Sequence, residues 1–194
     1  MKRIVIFASG SGSNAQRITE YFRERKTAEV VSVYCNNPKA YVAERCRQLQ
    51  LPFHLFNRHD FYETDAVQKQ LEKENPDLIV LAGFLWLLPA SFIERYRNRI
   101  INVHPALLPA YGGKGMYGAN VHKAVIANKE PQSGITIHLV NEEYDKGEIL
   151  FQGKIEVTEK DTADSLAAKI HELEHRHFPE EIENYLLHSP IVNS

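Results

Sequence analysis

Cysteine is scarce in this chain. The two present, Cys35 and Cys46, show no CxxC spacing and have no third partner, which argues against a zinc knot or a disulfide framework and leaves both expected as reduced bystanders. Long apolar runs are missing too. Ile4-Val5-Ile6-Phe7 gives way at once to serines and glycines, so neither a signal-peptide core nor a membrane span of about 20 residues has room to form, and the expected compartment is the cytosol. An excess of one charge is also absent. With 23 Lys and Arg against 25 Asp and Glu, and a formal net charge of -2, there is no basic surplus to displace counterions from a nucleic-acid backbone, so no nucleic-acid partner is expected. Any bound anion must meet a local site. Repeats, low-complexity tracts and linkers are lacking as well, and a hydrophobic content of 43% is enough for one compact domain over residues 1–194.

What the chain does contain is alternation. Apolar runs rich in β-branched residues recur at Arg3 to Phe7, Glu29 to Tyr34, Asp77 to Leu81, Arg99 to Val103 and Gly134 to Val140. Stretches with helical spacing lie between them, at Asn14 to Phe22, Ala40 to Leu49 and Phe61 to Leu71. This order predicts an α/β fold with a mostly parallel sheet and helices on both faces. Ile135 to Val140 and Glu148 to Val157 predict an antiparallel pair at the C-terminal edge, joined through Asp145-Lys146-Gly147, where glycine eases the turn. Thr162 to Leu187 reads as helical, with Pro179 expected at a helix start or a kink. The stretch from Pro105 to Asn120 has no period, and loops of that length in compact domains tend to be functional.

The first strand runs straight into Ala8-Ser9-Gly10-Ser11-Gly12-Ser13-Asn14 and then a helix, which points free backbone N–H groups and the positive end of a helix at an anion. This is not the dinucleotide fingerprint, since GxGxxG would need glycine at Ala15, and no Gly-Lys-Ser/Thr follows to make a Walker loop. A terminal phosphomonoester fits a loop of this size. Read as plain structure, the same residues make a strand-to-helix turn with Ser13 or Asn14 as N-cap.

Asn102-Val103-His104-Pro105 ends the fourth of these strands, and ligands of open α/β sheets gather at the carboxyl ends of strands. Strand alternation puts Asn102 and His104 on one side. Asp145, in the Tyr144-Asp145-Lys146-Gly147 turn, could be brought beside them. Such a set suits acyl transfer to an amine: donors fixed in a dry pocket stabilise the developing oxyanion by about 3 kcal/mol each, and a carboxylate favours the imidazolium and relays the amine's proton. A satisfied core histidine and an ordinary turn aspartate would spell the same residues.

At these positions the sequence resembles the phosphoribosylglycinamide formyltransferase family. The resemblance covers nearly the whole chain and rests on three ordered motifs, Gly10-Ser11-Gly12-Ser13-Asn14, Pro76-Asp77-Leu78-Ile79-Val80-Leu81-Ala82-Gly83-Phe84, and Asn102 to Pro109 followed by Asp145. It implies a Rossmann-like formyltransferase fold, with 10-formyltetrahydrofolate as co-substrate, 5′-phosphoribosylglycinamide as the amine, and no metal. By the same resemblance Asn102, His104 and Asp145 become the catalytic trio, while Gly10, Ser11, Gly12, Ser13, Asn14 and His171 hold the substrate phosphate. Glu174 matches the family's acid near the ribose hydroxyls. Leu85, Trp86, Leu87, Leu88, Val140, Glu142 and Tyr144 would bind the folate. Two departures matter: Leu85-Trp86 stands where the family often has Met-Arg, and His171 stands where lysine or glutamine is common. The loop from Tyr111 to His122 reads as a lid. A small-molecule enzyme of this kind is expected as a monomer or homodimer, without a membrane partner.

Two rivals remain open at this point. An amino-sugar nucleotide formyltransferase would share the trio and also needs phosphate and an amine, although the loop at Gly10 favours the ribotide. More distantly, His171-Glu172-Leu173-Glu174-His175 spells HExxH, the zinc-hydrolase pattern of two imidazoles one helical turn apart, with His177 close by but no third ligand clearly placed.

Overall fold

The computed structural model describes residues 1–143 and 145–189. Seven strands form one sheet: β1 (Lys2–Ala8), β2 (Ala28–Cys35), β3 (Phe53–Leu55), β4 (Leu78–Leu81), β5 (Ile100–His104), β6 (Gln132–Leu139) and β7 (Ile149–Glu156), in the spatial order β3-β2-β1-β4-β5-β6-β7. The pairs from β3 to β5 are parallel, and β5–β6 and β6–β7 are antiparallel. The expected mixed C-terminal edge is therefore present. Strand order reverses on either side of β1, and such switch points open a crevice above the strand ends.

Burial on β1 explains the layers. Ile4, Ile6 and Ala8 point into one apolar cluster and Val5 and Phe7 into another, as the two-residue period of a strand requires. A strand buried on both faces reads as a continuous apolar run, which is how it appears in the sequence. The first cluster is closed by α1 (Ser13–Arg25), α2 (Val42–Leu49), α6 (Ala119–Ala127) and α7 (Ala163–His188). The second lies under α3 (Arg58–Tyr62), α4 (Ala66–Glu74) and α5 (Ala90–Arg95). Each fully buried aliphatic side chain there contributes about 1.5–3 kcal/mol.

Several local expectations need correction. The stripe from Phe61 to Leu71 is two helices rather than one: a capping box between Asn57 and Asp60 starts α3, and α4 begins afresh after Asp65, while Phe61, Val67 and Leu71 still share the second cluster. The short β3 and the helices α5 and α6 carry too few periodic residues to stand out in the sequence. Pro179 lies inside the unbroken α7. It has no N–H for the carbonyl of His175 four residues earlier, and that oxygen is satisfied from outside by Arg17 Nε at 3.2 Å. At the β6–β7 turn the left-handed residue is Asp145, with φ of 54°, not a glycine. Gly147 is needed there for space, since a Cβ would fall 1.6 Å from the carbonyl oxygen of Leu139.

Candidate active site

A cleft of about 700 Å³ opens over the carboxyl ends of β1, β4 and β5. One end is formed by β5 and the β6–β7 turn, the other by the start of α1 and the inner face of α7, and the loop from Gly113 to Ala119 covers the middle.

At the first end Asn102 and His104 leave β5 on the same side, and the register with β6 sets His138 directly opposite Asn102. His138 donates from Nδ1 to the carbonyl oxygen of Leu139 at 2.9 Å, because a carbonyl can only accept. Its Nε2 is therefore the acceptor for the Asn102 amide, at 3.1 Å. Burial lowers the His138 pKa, against opposing pulls from the Leu139 carbonyl and Asp145, which fits this neutral form. Asp145 Oδ2 lies 3.6 Å from His104 Nδ1 and Oδ1 lies 3.7 Å from His138 Nε2. The N–H of Gly113 donates to Oδ2 at 2.9 Å and holds the carboxylate in place. His104 donates Nε2–H to the carbonyl of Tyr111 at 2.7 Å. That leaves Nδ1, facing Asp145 across a gap too long for a hydrogen bond, as the nitrogen whose proton can change hands. The three predicted residues thus lie together at one end of the cleft. The sequence did not point to His138, nor to the Tyr111 carbonyl and the Gly113 amide; these follow from strand register and loop path, which no local pattern encodes.

At the other end Gly10 and Gly12 serve different needs. A side chain at Gly10 would meet nothing within 4 Å and would project into open space, whereas a Cβ at Gly12 would fall 2.4 Å from Val42 Cγ2 on α2. Gly12, with φ of 75°, is the N-cap of α1 and makes no side-chain cap, so the expected capping by Ser13 or Asn14 does not occur. Ser13 Oγ instead sits 3.2 Å from His171 Nε2, and Asn14 Nδ2 donates to Glu174 Oε2 at 2.8 Å. Arg45 Nε holds the Ser11 carbonyl at 2.7 Å. Gly10, Ser11, Gly12, Ser13, Asn14, His171 and Glu174 all line the cleft. Glu174 is 7% exposed, and burial pushes its pKa up to about 7 against the pull of the Asn14 amide. His122, on α6, also lines the cleft and is buried, with no partner for Nδ1 among the described residues. Burial lowers its pKa, aided by the charges of His171 and His104.

Between the ends, Leu85, Trp86, Leu87, Leu88 and Val140 contribute to the wall. Leu85 and Leu87 are exposed, while Leu88 is buried in the second cluster. Trp86 packs edge-on against Phe56, with the guanidinium of Arg58 5.4 Å from its ring centre and 5.0 Å from that of Tyr62. Glu142 does not line the cleft; its carboxylate is paired with Arg97 at 2.8 Å on the surface, and its neighbour Glu143 takes the lining position. Tyr144 lies outside the described residues. The HExxH pattern finds no third ligand: among the described residues no group of three or more His, Cys, Asp or Glu side chains is arranged to hold a metal. No helix among them is long and apolar enough to cross a membrane.

Comparison with known proteins gives the family. Residues 2–182 match a family model described as formyl transferase. The phosphoribosylglycinamide formyltransferase of Bacillus subtilis is 34% identical, the match covering 96% of this chain and 95% of that one. The chloroplastic phosphoribosylglycinamide formyltransferase of Arabidopsis thaliana is 38% identical over 92% of this chain, which spans 63% of that relative's length. Among solved structures, the phosphoribosylglycinamide formyltransferase of Bacillus halodurans superposes with a TM-score of 0.85 at 33% identity, covering 97% of this chain and 96% of that one. A strand-end carboxamide and imidazole, a turn carboxylate and a glycine loop before α1 thus sit on a backbone shared along its length with these proteins, and the chain belongs to the formyltransferase family.

Proposed function

We propose that this chain transfers the formyl group of 10-formyltetrahydrofolate to the amine of 5′-phosphoribosylglycinamide, a step of de novo purine biosynthesis that requires no metal. The observation that carries this reading is the meeting of Asn102, His104 and Asp145 at one end of a cleft whose other end is the uncapped start of α1. A substrate with an amine at one end and a phosphate at the other matches that layout. The names of the relatives support the choice of this amine.

In the proposed reaction the amine nitrogen bonds to the formyl carbon, the carbonyl oxygen becomes an oxyanion, and the bond from carbon to the folate nitrogen then breaks. One proton leaves the attacking nitrogen and one is taken up by the departing folate nitrogen. Asn102 spends one amide N–H on His138 and keeps the other for the oxyanion, worth about 3 kcal/mol in a dry site. His104, with Nε2 held by Tyr111, contributes positive charge and a proton at Nδ1, and Asp145 takes the amine's proton directly or through one water. The pterin lies against Leu85 to Leu88 and Val140, the phosphate at Gly10 to Asn14 beside His171, and the ribose hydroxyls beside Glu174. A cytosolic monomer or homodimer acting on small molecules alone belongs to the same proposal.

The test is an assay of purified protein with 10-formyltetrahydrofolate and phosphoribosylglycinamide, run beside an amino-sugar nucleotide. The ribotide is expected to win by at least about 100-fold in kcat/KM, since its terminal phosphomonoester can seat on the amides of the loop whereas the diphosphate of an amino-sugar nucleotide is esterified at both ends and leaves them poorly paired. Preference for the amino sugar, or no transfer at all, would overturn the reading.

A further inference from the structure

A phosphate arriving at Gly10 to Asn14 comes up beside a carboxyl group. Glu174 Oε2 accepts from the Asn14 amide at 2.8 Å and lies 3.9 Å from His171 Nε2, which is itself 3.2 Å from Ser13 Oγ. Two hydrogen-bonded pairs, Ser13 with His171 and Asn14 with Glu174, are thus brought within ion-pair distance of each other at the mouth of the loop. Two like charges about 5 Å apart at an effective dielectric of about 20 repel by about 3 kcal/mol, so an ionised carboxylate here opposes the ligand the loop is built for.

The charged groups around these pairs have other engagements. From α2, Arg45 bonds the Ser11 carbonyl and Gln16; from α1, Arg17 bonds the His175 carbonyl and Glu20 bonds Gln16. His122 from α6 and His175 from α7 are driven towards the neutral form, chiefly by burial. Lys114, from the loop over the cleft, is a further cation lining it.

We propose that His171 and Glu174 act as one proton-holding unit of the substrate site, so that the phosphoryl end of the substrate is bound together with a proton taken from solvent. The inference rests on the function proposed above. Before binding, Glu174 is poised to exchange its proton near neutrality, because burial pushes its pKa up to about 7. The arriving phosphate disfavours the carboxylate and favours the imidazolium, and both changes take up a proton. A histidine is the residue for such a task, since lysine would stay charged and glutamine neutral over the same range. Substrate then binds more tightly as pH falls from about 8 to 7, by at most about tenfold per unit for one linked proton. Protonation of the phosphate itself, near pH 6, sets the lower limit of this trend.

Calorimetric titration of the full chain with phosphoribosylglycinamide at a single pH near 7.5, repeated in buffers of different ionisation enthalpy, counts the protons taken up. Comparing proteins cancels the substrate's own amine and phosphate. Wild type is expected to take up at least about 0.3 proton more than a His171→Gln, Glu174→Gln double variant, with the exposed-face variant His171→Gln alone lower than wild type. Equal counts in wild type and His171→Gln would overturn the proposal, even if the double variant does not fold. An absence of any binding by wild type would instead overturn the proposed function, so the two failures are distinct.

Discussion

At the β5–β6 end of the cleft Asn102, His104 and Asp145 each hold a protein partner, whereas at the α1 end the helix opens on Gly12 with no side-chain cap. The contrast recurs between the two long helices that meet there. α7 starts with a reciprocal capping box, Thr162 with Ser165, and α1 has none, although serine and asparagine stand at its start. With Gly12 at its N-cap α1 goes without a capping side chain at a cost of about a few tenths of a kcal/mol, while Ser13 and Asn14, in its first turn, face His171 and Glu174. Under the function proposed above, the groups that act in the reaction are held by protein partners, while the start of α1 lacks a capping side chain from Gly12 and faces the substrate phosphate.

If that division holds, substitutions at the two ends must fail differently. His104→Ala should lower kcat by about 1,000-fold or more while the KM for the ribotide changes by less than about threefold, as for loss of a general acid in a preformed site. A large KM change would erase the distinction. At the α1 end, a substrate lacking the phosphate should bind about 100-fold or more weakly, because charge-assisted bonds to several amides are lost together, and direct binding measurements on the two substrates check it. Equal binding would make the loop a plain turn. The buried Glu174 carries a stability signature of the same end. Its folded pKa stands above the usual carboxyl value, so its contribution is fully present below about pH 4.5 and is lost as pH rises to about 7, a difference of about 3 kcal/mol. Glu174→Gln should therefore raise Tm at pH 8 and leave it little changed at pH 4.5. The smallest effect is expected at the closed helix start: Thr162→Ala should cost about 1 kcal/mol, or about 2–4 °C in Tm, with kcat unchanged.

The fold was legible where burial is periodic. β1 is apolar from Ile4 to Ala8 because Ile4 and Ile6 serve one core and Val5 and Phe7 the other, and the mixed edge announced itself through two strands flanking a turn. What stayed hidden were features that arise only from pairing. His138 joins the site because the antiparallel register sets it opposite Asn102, and Arg17 rescues the carbonyl that Pro179 leaves free, 158 residues away in sequence from His175. The family resemblance implies a folate contact at Glu142, yet its carboxylate pairs with Arg97 on the surface, off the cleft. Asn102 and His104 could be matched from strand alternation, but their distance from Asp145 could not.

The most direct trial of the central claim is the rate of formyl transfer within preformed complexes of wild type and Asp145→Asn, measured in a single turnover with both substrates bound. Convergence of the carboxylate on His104 predicts that the bound step slows by about 1,000-fold or more while both substrates still bind within about threefold of wild type. Transfer within about tenfold of wild type would contradict it.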